Sequence, residues 1–391
     1  MKYLKFLILL LILSNLSGYL LIHHNDILGT ALYIIEFSFI TIYYFLSKKE
    51  NPNIHFVVFG ILFFLISLVI NNQFSESFLI TFAKYFIFIA LMSSILRDVK
   101  DDEIYGILMI CALSIICEAI FINGIGSRNS GFYLNSNLAA FVCAVGYIYG
   151  STMYKKNLKI VGQFVFTIAG LTTFSVIFLV IWGLINFQPL FSKRKNTYKF
   201  AVCMASFIAF ISFNDQMHLN TKQVAVDSIK SSNFDKESKF ENLKETWTLY
   251  YDKVLKNPLF GNGYGKTAGE EDIRFTIQIS VHNIFLMIIG EAGIFALLYF
   301  LCIYGYLILK GIYFFKQNPS VFFISLALVL YMLTTHSYFD NYLILFTSLR
   351  LYQEIYKLKE LGCHNQRVII RSNRNVNDPT ERDLLKQYRL N

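Results

Sequence analysis

The chain carries little charge for its length, and this scarcity excludes most classes of soluble protein. Only 16% of its 391 residues are Asp, Glu, Lys or Arg, whereas 55% are hydrophobic. A soluble domain usually carries about 25% charged residues. The sequence also lacks the apolar–polar alternation of an outer-membrane barrel and shows solid apolar runs instead. Backbone groups in lipid must be satisfied within each segment, so we expect an all-α polytopic membrane protein.

Cysteine and cleavage signals are also scarce. The six cysteines form no Cys-x-x-Cys pair, and none lies in the long polar segment, so neither a disulfide framework nor a cysteine metal site is expected. The N-terminal stretch has no small-x-small cleavage site, and its apolar run continues to Ile22. We therefore interpret it as a first membrane helix and not as a signal peptide.

Apolar runs of membrane-spanning length recur along the chain and predict about twelve transmembrane helices. They lie at 3–22, 27–46, 54–70, 78–96, 104–122, 132–153, 158–172, 175–190, 199–213, 281–309, 319–335 and 341–356. The domain boundaries expected from them give an N-terminal membrane bundle (1–213), one large extracytoplasmic loop domain between helices 9 and 10 (214–280), C-terminal membrane helices (281–358) and a cytoplasmic tail (359–391).

Lysine and arginine are distributed unequally between the two sides. With the N-terminus inside, fifteen basic residues fall in inner segments, and the short outer loops hold one, Arg128. Basic residues favour the cytoplasmic side, so both termini are predicted to be cytoplasmic. The same rule divides residues 160–190 into two arms that turn near 172–175. The net charge of +9 reflects this sidedness, and no nucleic-acid partner is expected.

The polar segment before the tenth predicted helix contains residues suited to chemistry. Gly261, Gly263 and Gly265 alternate in GNGYG, and the N–H groups of such a turn can bind an anion, although glycine-rich outer loops are common. His282 stands where the next helix begins, either as a general base or as an interfacial polar group. Asn283 beside it can supply a hydrogen bond. We expect the segment to act as a lid hinged on this helix.

Arg128 is the exception to the charge sorting and opens the stretch RNSGFYLNSNLAAF. A guanidinium group binds phosphate oxygens with paired donors, so Arg128 is a candidate ligand for a pyrophosphate. The alternative is a stray charge followed by a helix cap. Asn135 and Asn137 follow it at the start of the next helix.

Ionisable residues inside or beside apolar runs form a further group: Glu36, Lys84, Glu118, Glu291 and Asp340. Such groups are costly in lipid and usually face a cavity or each other. We expect Lys84 to pair with Glu36 or Glu118. Asp340 and His336 border the last outer loop, which places them on the side of His282.

Three local patterns resemble the O-antigen ligase and Wzy-type polysaccharide polymerase superfamily. RNSGFYLNSNLAA is similar to its Arg-x-x-Gly-x-x-x-Asn-x-Asn-x-x-Ala segment, NPLFGNGYG to its Pro-Leu-x-Gly-x-Gly turn, and SVHNIFLMIIGEAG to its His-Asn helix start with Glu-x-Gly. The order of the patterns and the helix architecture extend the resemblance over nearly the whole chain. Two features depart from it. The turn at 172–176 lacks the Arg of the family's Thr-x-Ser-Arg, and Lys239 or Lys244 stands before Trp247 where Arg is often found.

This resemblance implies a metal-independent glycosyltransferase that needs no cofactor. Its donor would be an oligosaccharide on undecaprenyl pyrophosphate, presented at the outer face of the bacterial cytoplasmic membrane. His282 would act as the base or hold the acceptor hydroxyl. Arg128, with Lys266 or Arg274, would bind the departing pyrophosphate. The residues expected to support them are Asn135, Asn137, Gly261, Gly263, Asn283 and Glu291.

The resemblance leaves three functions open. The first is polymerisation of repeat units into O-antigen or capsule, favoured because the divergent basic motifs suit the more variable branch of the superfamily. The second is ligation of the glycan to lipid A core or another lipid-linked or glycan acceptor. The third is a lipid-linked sugar flippase or other transporter, disfavoured because the sequence shows no clear internal repeat. Membrane lipids and proteins for polysaccharide export or chain-length control are the further partners expected.

Overall fold

The computed structural model describes residues 1–23, 26–71, 75–124, 127–133, 135–153, 155–192, 251, 254–267 and 282–374. Regular secondary structure in this part of the chain is entirely helical. The predicted helix at 199–213 and most of the predicted loop domain, including Arg274, lie outside the described residues.

The described residues form the following helices, in chain order. They are α1 (Lys2–Ser14), α2 (Leu16–His23), α3 (Asp26–Leu46), α4 (Ile54–Asn71), α5 (Glu76–Asp98), α6 (Asp101–Phe121), α7 (Ser136–Thr152), α8 (Lys156–Thr172), α9 (Val176–Ser192), α10 (Ile284–Tyr313), α11 (Pro319–Met332) and α12 (Tyr342–Arg374).

Four helices are long and apolar enough to cross a membrane, judged by length and composition. These spans are Ile27–Leu46, Glu76–Asp98, Asp101–Phe121 and Ile284–Tyr313. The prediction of an all-helical protein with membrane-spanning segments is thereby confirmed at this level. The count of about twelve crossings stays a prediction, because several of the remaining apolar helices, among them α11, are shorter.

One predicted helix is interrupted. The first predicted crossing, 3–22, is broken at Asn15, whose φ of 52° is left-handed and separates α1 from α2. Asn adopts this conformation more readily than most residues, and hydropathy does not register it. α12 continues past the predicted start of the tail at 359 and ends at Arg374, and the division between membrane helices and tail stays a prediction. Hydropathy marks where apolar residues stop, whereas a helix continues through polar helix-forming residues.

The turn predicted near 172–175 is confirmed. α8 ends at Thr172 and α9 begins at Val176, and Phe174 between them has a φ of 50°. The N–H of Phe174 donates to the Leu171 carbonyl at 3.1 Å, which closes the turn. Each of the two helices has 17 residues, about 26 Å at 1.5 Å per residue, and is therefore shorter than a full hydrocarbon core.

Connections between helices gather at two ends of the bundle. We call one the basic end, formed by segments 47–53, 99–100 and 314–318 and by Met153 and Lys155. The other is the His282 end, formed by segments 127–133, 173–175, 257–267, 282–283 and 333–341 and by Asn135. The candidate site residues of the sequence analysis that the structure describes lie at or near the His282 end.

Two buried cations join the helices at the basic end. Arg350 of α12 is 5% exposed, and its Nη2 donates to Asp101 Oδ1 of α6 at 2.7 Å, where Asp101 is exposed. Its Nη1 donates to the Leu96 carbonyl of α5 at 3.3 Å. Lys5 of α1 is buried, and its Nζ lies 2.7 Å from Glu103 Oε2 of α6. These contacts connect α1, α5, α6 and α12.

The segment 333–341 reaches into the interior from the His282 end. α11 has 14 residues, about 21 Å of helix, so it ends before it has crossed a hydrocarbon core of about 30 Å. Tyr338 and Phe339 are buried, and Phe339 stacks on Phe59, which lies only five residues from the start of α4 at the basic end. The segment 333–341 therefore forms a floor beneath the His282 end.

We expect Arg350→Met to lower the free energy of unfolding by about 1–3 kcal/mol, because the Leu96 carbonyl and the Asp101 carboxylate both lose their charged donor. Thermal unfolding of the purified protein in detergent measures this change. Lys316→Met is the matched control, since Lys316 is exposed at the same end. Equal unfolding midpoints for the two variants would contradict the assigned role of Arg350.

Candidate functional site

Helix α10 is broken near its start. Gly293 has φ 76° and ψ −173°, a conformation that is essentially restricted to glycine, so the helical hydrogen bonds are interrupted there. In an unbroken helix the N–H of Ile294 would donate to the carbonyl of Gly290. It donates instead to the carbonyl of Pro258 at 2.9 Å. The break therefore frees helical carbonyls inside an apolar bundle, where each needs another donor.

The glycine-rich turn supplies those donors. The N–H of Asn262 donates to the Gly290 carbonyl at 2.7 Å, and the side-chain amide of Asn262 donates to the same oxygen at 3.1 Å. The N–H of Gly263 donates to the Glu291 carbonyl at 3.1 Å, and Ser67 of α4 donates to it at 3.2 Å. The turn is thus docked into the broken helix, which differs from the expected hinged lid.

The anion-binding interpretation of GNGYG needs correction. The N–H groups of Gly261 and Gly263, both proposed as supporting residues, are occupied by carbonyl groups of the chain, that of Gly261 by Asn257 at 2.8 Å. The end of the turn holds the carboxyl group of Glu291 instead. Its Oε1 accepts from the Thr267 hydroxyl at 2.5 Å and from the Thr267 N–H at 3.4 Å, and the Gly265 backbone contributes a further hydrogen bond. Glu291 is therefore a buried anchor for the turn.

Two glycines permit this close approach. A Cβ atom on Gly293 would lie 2.1 Å from the Leu259 carbonyl oxygen, and one on Gly261 would lie 2.4 Å from the Glu291 carbonyl carbon. Both glycines also have a φ of 76°. Steric space and backbone conformation thus require glycine at both positions.

His282 faces a second histidine. Its ring centroid lies 5.2 Å from that of His336, with an angle of 69° between the ring planes, so the two rings meet edge to face. His282 is partly buried at the start of α10, and His336 is exposed on segment 333–341. The two residues are 54 positions apart in the sequence, and only the packing of α10 against α11 and its following segment brings them together.

A carboxylate and an ammonium group lie along the same floor. Asp340 is four residues beyond His336, forms a side-chain hydrogen bond with Thr81 of α5, and interacts electrostatically with Lys84 one turn further on. The hydroxyl of Tyr264, in the docked turn, donates to Thr81 at 3.0 Å. Asp340 is exposed. These residues form a polar cluster at the His282 end.

The surroundings of the two histidines favour uncharged imidazoles. Burial lowers the pKa of His282 below its usual range. Burial and the nearby charge of protonated His282 lower the pKa of His336 as well. Burial raises the pKa of Asp340, an effect that Lys84 and the Thr81 hydrogen bond oppose. At neutral pH His282 is therefore neutral and able to accept a proton.

Arg128 lies in a segment whose backbone is held by hydrogen bonds. The Oε2 atom of Glu118 accepts from the N–H groups of Ser130 at 2.6 Å and Gly131 at 2.5 Å. Asn129 is fully buried, and its N–H donates to the Thr172 carbonyl at 3.1 Å. Arg128 itself is exposed and makes no hydrogen bond or ion pair with another described residue. An exposed guanidinium group without a described partner, on a firmly held backbone, is preorganised for an anion.

Lys84 does not form the expected ion pair. Glu118 is engaged by the backbone of the Arg128 segment, and Glu36 accepts from the Ser17 hydroxyl at 2.8 Å. Lys84 is not within 4.0 Å of any carboxylate among the described residues, and its Nζ lies over the ring of Tyr33, 5.1 Å from the centroid. Lys84 lies between α3 and segment 333–341. Its positive charge therefore acts on both Glu36 and Asp340 and is not paired with either one.

The predicted supporting asparagines have structural roles. Asn135 caps α7, its side chain accepting from the Asn137 N–H at 2.7 Å, and Asn137 Oδ1 accepts from the Ser175 hydroxyl at 3.0 Å. Asn283 caps α10 and accepts from the N–H of Phe285 at 2.9 Å. Asn283 therefore orients the helix start that carries His282 and does not bind the imidazole.

The structure divides the predicted site residues into two groups. His282, Asn283, Glu291 and the glycine turn lie together, and the exposed Lys266 extends from that turn. Arg128, Asn135 and Asn137 form a second group at the same end, joined to the first through the packing of α7 on α11. No described hydrogen bond or ion pair connects Arg128 with His282. Arg274 cannot be placed in either group, since it lies outside the described residues.

Sequence reasoning placed His336 and Asp340 on the correct side but did not include them in the site. It also treated Lys84 only as an ion-pair partner and gave Thr81 and Tyr264 no role. The available signal was the polar stretch HSYFDN between two apolar runs. Its contact with His282 depends on a segment that descends into the bundle, and the sequence does not show that descent.

We expect Gly293→Ala to destabilise the protein by about 2–4 kcal/mol, because the added methyl group meets the Leu259 carbonyl in a conformation restricted to glycine. Gly305→Ala is the matched control on the same helix. Gly305 has open space around its Cβ position and an ordinary φ, so this change should stabilise by up to about 1 kcal/mol. Thermal unfolding in detergent measures both, and a destabilisation of equal size in the two variants would refute the docking of the turn.

We expect stability to fall as the pH drops below about 6.5, the pKa of an unperturbed histidine. Both folded-state pKa values are lowered, so below pH 6.5 the unfolded chain binds more protons than the folded chain, and the loss continues until the folded pKa values are passed. The difference in unfolding midpoint between neutral and mildly acidic buffer measures this. The His282→Gln/His336→Gln double variant should show a smaller difference; an unchanged difference would argue against the histidines as its source.

Comparison of the chain with known proteins finds no matching protein-family model and no matching curated protein. What the protein does has to follow from the chemistry of its own residues.

Proposed function

We propose that the chain is a metal-independent glycosyltransferase that polymerises undecaprenyl-pyrophosphate-linked repeat units into a surface polysaccharide, O-antigen or capsule, at the outer face of the bacterial cytoplasmic membrane. The observation that carries this proposal is the partly buried imidazole of His282, whose pKa burial lowers, at the same end of a helical bundle as the exposed guanidinium of Arg128. One group suits proton removal and the other suits an anionic leaving group.

The proposed reaction uses these two groups in one displacement. The oxygen of an acceptor sugar hydroxyl forms a bond to the anomeric carbon of the donor. The bond from that carbon to the pyrophosphate oxygen breaks, and the electron pair leaves with the pyrophosphate. The hydroxyl proton passes to the imidazole of His282. Lipid pyrophosphate is already an activated leaving group, so no further energy source is required.

Charge stabilisation of the leaving group is assigned to Arg128 and Lys266. Both are exposed at the His282 end. Arg128 can bind two phosphate oxygens with parallel donors, and the backbone around it is held by Glu118 and Thr172. Fixed cations aimed at developing negative charge are among the larger contributions to catalysis.

The distribution of basic residues supports the proposed orientation. Lys48, Lys49, Arg97 and Lys100 lie at the basic end, the end that the positive-inside rule assigns to the cytoplasm. The His282 end then faces outward, where the lipid-linked repeat units would be presented.

A transporter of lipid-linked sugars is the second candidate, and one observation favours it. Glu36 is 1% exposed in α3, and its Oε1 has no hydrogen-bond partner among the described residues, although Oε2 accepts from Ser17. Buried ionisable groups of this kind often mark transport pathways. A transporter, unlike the enzyme, should not require the imidazole of His282.

We expect His282→Ala to reduce polymer in cells by at least about 100-fold, the scale of general base catalysis, and Arg128→Ala by about 10-fold or more. The measurement is glycan banding in cells that lack the gene and are complemented with each variant at equal expression. His55→Ala and Lys156→Ala are matched controls, because both residues are exposed at the basic end. Arg128→Lys should give an intermediate loss, since lysine lacks the planar paired donors.

The banding pattern separates the candidate functions. Lost polymer with a single repeat unit still on its normal acceptor supports the polymerase. Long chains that accumulate on lipid pyrophosphate, with no attached glycan, identify a ligase. Normal banding in both His282→Ala and Arg128→Ala would eliminate the proposed site and leave the transporter as the better explanation.

A further inference from the structure

We propose that a cavity at the basic end, between α10 and α12, binds the headgroup of an anionic phospholipid. Such binding is independent of the proposed glycosyl transfer. Two features of the molecule support it: the polar, positively charged lining of the cavity, and an apolar face of α10 that continues from the cavity along a membrane-spanning segment.

The cavity has a volume of about 440 Å³, within the range of about 300–1,000 Å³ found for small-ligand sites. Tyr299 and Tyr306 line it from α10, and Tyr352 and Lys359 line it from α12. Tyr352 lies just beyond Arg350, whose hydrogen bonds are at the basic end. Tyrosine and lysine are typical of the membrane–water interface, and in the proposed orientation this interface belongs to the cytoplasmic leaflet.

Contacts between the lining side chains hold them in place. The Nζ atom of Lys359 lies over the ring of Tyr306, 5.1 Å from its centroid. The rings of Tyr306 and Tyr352 are 5.6 Å apart. Neither of these tyrosine hydroxyl groups makes a hydrogen bond with another described residue. Both are therefore available to donate to phosphate oxygens, next to an ammonium group that adds a charge-assisted donor.

The charge of the lining favours an anion. Lys359 is exposed, and the described residues that line the cavity include no Asp or Glu. Tyrosine rings can also hold a quaternary ammonium group, as in a choline headgroup. Here the ammonium group of Lys359 already covers the ring of Tyr306 and would repel a second cation. The lining thus selects an anionic headgroup over a zwitterionic one.

A second cavity borders the first at Tyr352 and has a different charge. Its volume is about 460 Å³, and its lining includes the carboxylates of Glu50 and Glu360 as well as Arg97 and Lys357. Arg97 lies 3.6 Å from Glu50 and is thereby already paired. An anion in this second cavity would meet two carboxylates, so the site is assigned to the first cavity alone.

The apolar face of α10 identifies the ligand as a lipid. Phe295, Tyr299, Cys302 and Tyr306 recur at helical spacing and share one face of a membrane-spanning helix. Phe295 is 50% exposed, and Leu298 beside it is 51% exposed. From Tyr306 to Phe295 the face extends about 16 Å, which is about half of a hydrocarbon core and so the depth of one leaflet. An acyl chain attached to the headgroup can lie along it, whereas a soluble anion would leave it uncovered.

The test is native mass spectrometry of purified, delipidated full-length protein. The protein is titrated with phosphatidylglycerol, with phosphatidylcholine of the same acyl chains, and with soluble glycerol phosphate. We expect the wild type to bind phosphatidylglycerol at least about 5-fold more tightly than phosphatidylcholine, the effect of one basic residue near an anionic lipid. Glycerol phosphate, which has no acyl chain, should bind far more weakly than phosphatidylglycerol.

Two variants locate the site. Lys359→Gln should lower the affinity for phosphatidylglycerol to about that for phosphatidylcholine. Lys316→Gln is the matched control, because Lys316 is exposed at the same end and outside the cavity, and its affinities should equal those of the wild type. Cys302→Phe fills part of the cavity without changing its charge. It should weaken binding of phosphatidylglycerol while keeping the unfolding midpoint in lipid-free detergent, since Cys302 is exposed.

Four results would overturn the proposal. The first is equal wild-type affinity for the two phospholipids. The second is an equal loss in Lys359→Gln and Lys316→Gln, which would indicate general attraction to the basic end. The third is glycerol phosphate binding as tightly as phosphatidylglycerol, which would indicate a site for a soluble anion. The fourth is a wild-type protein that binds no lipid and is dimeric until Cys302→Phe separates it, which would assign the cavity to a second copy of the chain.

Discussion

The break of α10 at Gly293, and the turn that fills it, is the constraint on which the His282 end depends. An interrupted helix inside an apolar bundle exposes carbonyl groups that have no water to bind. Asn262 and Gly263 satisfy them from the turn, and Ile294 reaches Pro258 in return. Each side therefore satisfies backbone groups that the other leaves without a partner.

These hydrogen bonds position the side chains of the candidate site as well as the backbone. The docked turn carries Tyr264 to Thr81, which in turn contacts Asp340 on the floor segment. The short helical piece before Gly293 carries His282 at its start, where Asn283 orients it toward His336. A cluster of polar groups therefore forms at the His282 end. At the basic end the buried Arg350 and Lys5 connect four helices, while the His282 end carries the candidate reactive groups.

Much of the fold could be predicted from the sequence because hydropathy and charge act locally. The apolar runs located α3 to α9 within a few residues, and the charge rule found the turn at Phe174. The same reasoning missed two features. The break at Asn15 depends on a single dihedral angle, and the extension of α12 to Arg374 depends on polar residues that still favour a helix. In the site, His282 and the glycines were identified by residue type. The group that the turn holds was expected to be a bound anion, and it is the carboxyl group of Glu291.

Residue type and spacing by themselves determined that this chain is a helical membrane protein, which of its segments are apolar, and which few polar residues could carry chemistry. Tertiary structure alone decided that Gly293 breaks a helix, that the turn fills the break, and that His336 meets His282. The physical reason is the distance along the chain over which each property is set. Whether an apolar run is buried depends on its own residues. A contact between residues 54 positions apart depends on how several helices pack and on where a segment such as 333–341 descends between them.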